Sequence, residues 1–174
     1  MSTQLINIIT IGSVEITIAS PDFPPYEFEA YVEEQDNSLL LGLEPVIREP
    51  QEQPDALVAP MLSEQTRTPG DVIVKKTTPL KLLAIIHDME LRTTWKEEWI
   101  EEALNRIFCI IEDRKIKIIA MPILGTVHGS LEYEEFARLF RTALPSDKSC
   151  YPEKIWLIAP EHECKQIMNL LTVH

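Results

Sequence analysis

Alternating apolar and polar residues dominate the first part of the chain. Val14–Ala19 carries apolar side chains at alternate positions, which is the period of a half-buried strand. Gly12-Ser13 lies just before it and predicts a hairpin turn that follows a strand at Ile6–Ile9. The prolines within Pro21–Pro25 interrupt this pattern, and Phe28–Val32 resumes it as a third predicted strand.

From Gly70 onward, short apolar runs alternate with segments of helical period. The apolar runs predict four further strands, at Val72–Lys75, Leu82–Ile86, Ile116–Pro122 and Ile155–Ala159. Apolar residues spaced three and four apart predict three helices, which begin near Thr94, near Leu131 and near Cys164. This alternation predicts an α/β fold with three layers, in which helices flank both faces of a mixed, mainly parallel sheet.

The first of these helices has a recognisable start. Thr94-Trp95-Lys96-Glu97 matches a capping box, in which Thr94 and Glu97 each satisfy a free backbone amide of the other. One stripe of the helix is apolar and consists of Trp95, Trp99, Ala103, Leu104, Ile107, Phe108 and Ile111. Cys109 falls within this region and is interpreted as a small core residue.

Residues 42–70 follow neither period. Five prolines and the polar run Glu49–Gln53 predict an irregular excursion here, in which Ala56–Ala59 fits either a short strand or a helical turn. No internal repeat and no boundary divides the chain, so residues 1–174 are predicted to form a single domain.

Charge and composition narrow the class of partner. The chain has 16 basic and 28 acidic residues, a net charge of −12, which argues against nucleic acid and anionic membrane surfaces. Its three cysteines form no CxxC pair, so neither a metal site nor a disulfide framework is expected. The N-terminus lacks the basic start and long apolar run of a signal peptide. These features predict a soluble cytoplasmic protein without a cofactor.

One predicted strand-to-helix turn has the chemistry of a ligand loop. Leu124–Ser130 contains Gly125 and Gly129, which allow close backbone approach, and amides at a helix start favour an anion. Thr126 and Ser130 add hydroxyl groups. A purely structural interpretation remains open, because such turns need glycine in any case and Ser130 is a suitable N-cap.

The histidines are weaker candidates for a functional site. His87-Asp88 ends a strand, and adjacent strand residues point to opposite faces, so His87 is interpreted as a strand-end residue without a catalytic partner. His162-Glu163-Cys164 opens the last helix and offers too few converging ligands for a metal. His128 lies on the candidate loop, where it is either a ligand contact or an exposed side chain.

The stretch MPILGTVHGSL at residues 121–131 resembles the second ligand loop of macro domains, whose pattern is F/M-P-x-[IL]-G-T-G-x-G-G-L. The match runs without a gap, and Val127 and Ser130 replace two of its glycines. Upstream, residues 22–32 are similar to the segment in which an aspartate receives the adenine amino group, and Asp22 stands at that position. Residues 32–44 are similar to the first ligand loop, where Asp36 replaces the second asparagine and Gly42 alone remains of several glycines.

The resemblance implies a macro-domain-like fold and three functional hypotheses. The first is a non-catalytic module that binds ADP-ribose or a related nucleotide. In it Asp22 contacts the base, and the amides of Gly125, Thr126, Val127, His128, Gly129 and Ser130 hold phosphate or ribose, beside Asp36 and Gly42. The second is a macro-fold protein that has lost the nucleotide and binds a protein partner of unknown identity. The third is an ADP-ribosyl hydrolase, for which Asp36 is the one polar candidate on the first loop; an enzyme is the less favoured reading.

Overall fold

The computed structural model describes residues 7–41, 67–145 and 151–173. Within these ranges the chain forms one seven-stranded sheet in the order β1-β2-β7-β6-β3-β5-β4. The strands are β1 (Asn7–Ile11), β2 (Val14–Ala19), β3 (Ala30–Asp36), β4 (Val72–Lys75), β5 (Leu80–His87), β6 (Ile118–Pro122) and β7 (Lys154–Ile158).

The five central strands run parallel to one another. β2 pairs with β7, β7 with β6, β6 with β3, and β3 with β5, all in parallel, whereas β1 and β4 are antiparallel edge strands. The predicted mixed, mainly parallel sheet is confirmed. Because the parallel strands share a direction, their carboxyl ends meet at one edge of the sheet, which we call the carboxyl edge.

The predicted hairpin at Gly12-Ser13 is confirmed, and Gly12 adopts a positive φ of 61° there. β3 differs most from its prediction, because it continues to Asp36 rather than ending at Val32. Ala56–Ala59 and most of the 42–70 stretch lie outside the described residues. The single-domain assignment therefore stays a prediction, although all the described strands belong to one sheet.

Three α-helices are described: α1 (Glu97–Arg114), α2 (Tyr133–Ala143) and α3 (Cys164–Thr172), the last preceded by a 3₁₀ turn at Glu161–Glu163. α1 packs beside α2, and α2 beside α3. Their apolar faces share one core with alternate residues of the central strands, such as Val32 of β3 and Leu82 of β5. All three therefore lie on one face of the sheet. Helices on the second face stay a prediction.

The loop from β2 to β3 covers part of the second face. The ring of Phe28 in this loop lies against Trp156 of β7 and Tyr31 of β3, with centroids 5.8 and 6.1 Å apart. Desolvation by burial raises the pKa of Tyr31.

In the described ranges, no helix is long and apolar enough to cross a membrane.

Two expectations for α1 are wrong. The helix begins at Glu97 with Lys96 as its N-cap, and no side chain caps it, because Trp95 pairs with His87 at the end of β5 and Thr94 is thereby held outside the helix. Cys109 is exposed, since the buried stripe passes through Ile100, Ala103, Leu104, Ile107, Phe108 and Ile111.

Candidate functional site

The candidate site lies at the carboxyl edge, between β3 and β6. These strands are neighbours in the sheet, but the chain leaves β6 towards β7 and leaves β3 towards β5 on the other side. Such a reversal opens a crevice between two loops, and ligands of open α/β sheets bind in crevices of this kind. We call residues 37–41, which follow β3, the first loop, and residues 123–132, which follow β6, the second loop.

Both glycines of the second loop are needed by the loop itself. Gly125 has a φ of 83°, and a Cβ there would lie 2.5 Å from Cδ1 of Ile100 in α1. A Cβ on Gly129 would collide with the carbonyl oxygen of Gly125. The loop is closed further by the amide of Leu131, which donates to that same carbonyl at 3.1 Å. The glycines therefore serve internal packing, whatever the loop binds.

A buried carboxylate that the sequence analysis did not single out lies beneath the second loop. Glu34 is only 4% exposed, and it follows Ala30 and Val32 on the core side of β3. Its Oε2 accepts the amide of Gly125 at 3.0 Å, and its Oε1 accepts the amide of His128 at 3.3 Å. Two amides of the second loop, which the sequence predicts to bind an anion, thus donate to a carboxylate of the protein itself.

His87 is the other buried polar group at this position. It is 1% exposed, and its Nε2 lies 2.5 Å from Oε1 of Glu34. Its Nδ1 is 3.3 Å from the hydroxyl of Thr94, and its ring meets that of His128 edge-on, with centroids 6.4 Å apart. His87 is the last residue of β5, as predicted, and the pairing of β3 with β5 brings to it Glu34, a partner that the sequence analysis did not identify.

Asp36 organises the first loop. It is fully buried, and its carboxylate accepts the amides of Ser38, Leu40 and Leu41 at 2.6, 2.8 and 2.7 Å. These bonds hold the chain in the turn in which Leu39 has a φ of 57°. A ligand contact by Asp36 stays a prediction.

The structure does not bring the other predicted ligand residues together at the crevice. Asp22 is exposed in the turn after β2, where its amide and carboxylate both contact the hydroxyl of Ser20. The hydroxyl of Thr126 donates to the carbonyl of Ile123 at 2.7 Å, so it is engaged within the second loop. Gly42 lies outside the described residues.

The crest of the second loop faces outward. Val127 is 56% exposed, and the side chains of His128 and Ser130 are exposed as well. Among the described residues, the amides of Val127, Gly129 and Ser130 donate no hydrogen bond. Ser130 is not the N-cap, because α2 begins at Tyr133 with Glu132 in that position. Three amides of the crest are therefore without a hydrogen-bond partner in the part of the chain that the structure describes.

Other candidate chemistry contributes nothing to this crevice. The described residues contain no group of three or more side chains suited to a metal ion, and His162 is exposed with Glu163 as its neighbour at 3.5 Å. A shallow groove that includes Phe28, Thr78 and Pro79 lies at the opposite edge of the sheet and contains none of the predicted site residues.

The fold is found in solved structures of macrodomains. The Oceanobacillus iheyensis macrodomain with ADP has a TM-score of 0.61 and 15% identity, over 94% of this chain and 91% of that chain. The Thermus aquaticus DarG macrodomain has a TM-score of 0.59 and 19% identity, over 83% of this chain and 98% of that chain. A mutant of the Oceanobacillus macrodomain with ADPR has a TM-score of 0.62 and 15% identity, over 94% of this chain and 93% of that chain.

The sequence itself matches no family model and no curated protein. The likeness therefore rests on the fold, and it confirms the macro-domain-like architecture that the stretch at residues 121–131 predicts. The chain has a macro-domain-like α/β fold.

Proposed function

We propose that this macro-domain-like protein binds ADP-ribose or a related adenine nucleotide at the carboxyl edge of the sheet, with the phosphates on the second loop beside the crevice between β3 and β6. The observation that carries the proposal is the crest of the second loop, where the amides of Val127, Gly129 and Ser130 donate no hydrogen bond to any described residue. Backbone amides grouped in this way bind phosphate and ribose oxygens. Macrodomains of the same fold are described with ADP and with ADPR, which supports this class of ligand.

In this proposal Asp22 contacts the base. It is exposed at the carboxyl end of β2, and its free oxygen can accept the amino group of adenine. A nucleotide with its base at Asp22 and its phosphates at Val127 would lie along the carboxyl edge, across the ends of β7 and β6.

We propose binding without catalysis. Asp36 is the acidic group of the first loop that the sequence offered for hydrolysis, and both of its oxygens accept backbone amides of that loop. A carboxylate held in this way is poorly placed to activate water.

We also propose a cytoplasmic location, in line with the unpaired thiols of Cys109 and Cys164.

Titration calorimetry and thermal shift with ADP-ribose test the proposal. We expect measurable heat and a rise in Tm, because a ligand that binds only the native state stabilises it. Val127→Asp should abolish binding, since it places a negative charge beside the free amides. Val127→Asn has the same shape without the charge and serves as the control. No heat and no Tm shift at millimolar ADP-ribose would exclude this function.

A protein-binding role is the second candidate, and a specific observation favours it. Seven large apolar side chains are exposed in the described ranges, and five of them lie on loops at the carboxyl edge: Phe23, Leu40, Met89, Leu91 and Val127. Exposed apolar groups concentrated at one edge are typical of interaction surfaces. If ADP-ribose fails to bind, Val127→Asp would instead be tested for loss of a protein partner.

A further inference from the structure

The second loop contains an anion supplied by the chain. Glu34 lies beneath it, 4% exposed, and accepts the amides of Gly125 and His128 at 3.0 and 3.3 Å. Two backbone amides converging on one buried carboxylate form the arrangement that binds a phosphate or carboxylate ligand in an anion-binding nest. Glu34 therefore occupies the floor of the loop as a ligand anion would.

The first loop repeats this arrangement. Asp36 is completely buried and accepts three amides, those of Ser38, Leu40 and Leu41. Both loops that border the crevice are thus organised around carboxylates from the end of β3. Two separate sets of amides are thus already bonded, and in the described part of the two loops the amides of Val127, Gly129 and Ser130 are left without a partner.

Water has little access to the carboxylate of Glu34. Its carboxylate is buried, and its contact with a basic side chain is that of His87 Nε2 at 2.5 Å. Interactions between charges are strong where water is excluded. A phosphate on the crest of the second loop would lie near this carboxylate, because the amide of His128, which Glu34 accepts, stands in the chain between Val127 and Gly129; a nucleoside has no charge to be repelled.

We propose that Glu34 is a selectivity residue of the crevice: it fills the amide-lined floor of the second loop and so weakens the binding of anionic ligands relative to uncharged ones. This inference rests on the proposed function where it concerns nucleotides. That Glu34 occupies the floor of the second loop does not depend on the proposed function, and it has its own test.

Inorganic phosphate tests the occupation of the floor. Glu34→Ala removes the carboxylate and frees the amides of Gly125 and His128, so phosphate should raise the Tm of this variant more than chloride at the same ionic strength. The wild type should show a clearly smaller difference, because Glu34 occupies the two amides of the floor. The control is Glu33→Ala, which removes a carboxylate from the neighbouring residue, where it pairs with Lys81 at the surface. Equal responses of the Glu34 variant and the wild type would overturn the proposal.

The wild type offers the same test without a substitution, in case Glu34→Ala fails to fold. In ¹⁵N-labelled protein, millimolar phosphate should leave the amide resonances of Gly125 and His128 unmoved, because Glu34 already accepts both. Those two amides should also exchange slowly with solvent. Phosphate-dependent shifts of both resonances would show that the carboxylate does not hold the floor.

Glu34→Gln tests selectivity, since it keeps the size of the side chain and one acceptor oxygen while removing the charge. We expect its affinity for ADP-ribose to rise about tenfold, the scale of one removed charge at short range, with its affinity for adenosine unchanged. An unchanged ADP-ribose affinity would overturn the selectivity claim while leaving nucleotide binding intact. If neither protein binds ADP-ribose, the nucleotide function fails, and the phosphate experiments still decide the role of Glu34.

Discussion

At the scale of single residues, Asp36 stabilises the fold whatever its part in binding. Its carboxylate accepts three backbone amides and is fully buried. Asp36→Ala leaves those donors without a partner, and we expect the free energy of unfolding to fall by about 3 kcal/mol. Asp36→Asn keeps one acceptor oxygen and should lose clearly less. Urea denaturation measures both, and equal stability of the alanine variant and the wild type would contradict the prediction.

Some residues of the site could be predicted from the sequence and others could not. The difference is whether a residue's contacts are local in the chain or depend on the pairing of distant strands. The second loop could be predicted from its local sequence, because the two glycines that shape it, Gly125 and Gly129, lie within one short stretch of the chain. Glu34 and His87 meet only because β3 and β5 pair, and no local pattern reports that pairing. One signal was present: Glu34 continues the inward alternation of Ala30 and Val32, and a carboxylate on a buried face requires a partner.

At the scale of elements, periodicity located the helices but not the orientation of every residue on them. The pattern identified most of the buried stripe of α1 but missed Ile100 and assigned Cys109 to the core, where the helix instead exposes it. Apart from the β1–β2 hairpin, the strand order could not be predicted from the sequence, because it depends on which strands pair over long separations. The end of β3 was missed because its last four residues are polar.

The two described cysteines should differ in reactivity, because one is exposed on its helix and the other is buried. Cys109 is exposed on α1, whereas Cys164 is buried at the start of α3, and desolvation there raises the pKa of its thiol. In a Cys150→Ser background, Ellman's reagent should modify Cys109 about tenfold faster than Cys164, because the thiolate is the reactive form. Adding Cys109→Ser should remove the fast phase. A fast phase that survives this change would show that Cys164 is accessible.

At the scale of the whole molecule, a contact between Tyr133 and Glu163 joins the start of α2 to the turn that leads into α3. The phenol of Tyr133 donates a hydrogen bond to the carboxylate of Glu163. Desolvation by burial, together with this bond and the charge of Glu163, raises the pKa of Tyr133 to about 12, from an ordinary value of 10.0. The folded state therefore holds the proton more tightly than the unfolded chain does.

This difference makes stability depend on pH in the alkaline range. Since the folded pKa exceeds the unfolded one, the contact contributes fully below about pH 10, and its contribution is lost as the pH rises towards the folded pKa. Urea denaturation of the wild type and of Tyr133→Phe measures it. The advantage of the wild type should be constant from about pH 8 to pH 10 and then shrink, because the ionised phenol would no longer donate and would be repelled by Glu163. An advantage that persists or grows above pH 10 would show that the phenol does not need its proton in the folded protein, and the contact would then not couple the two helices.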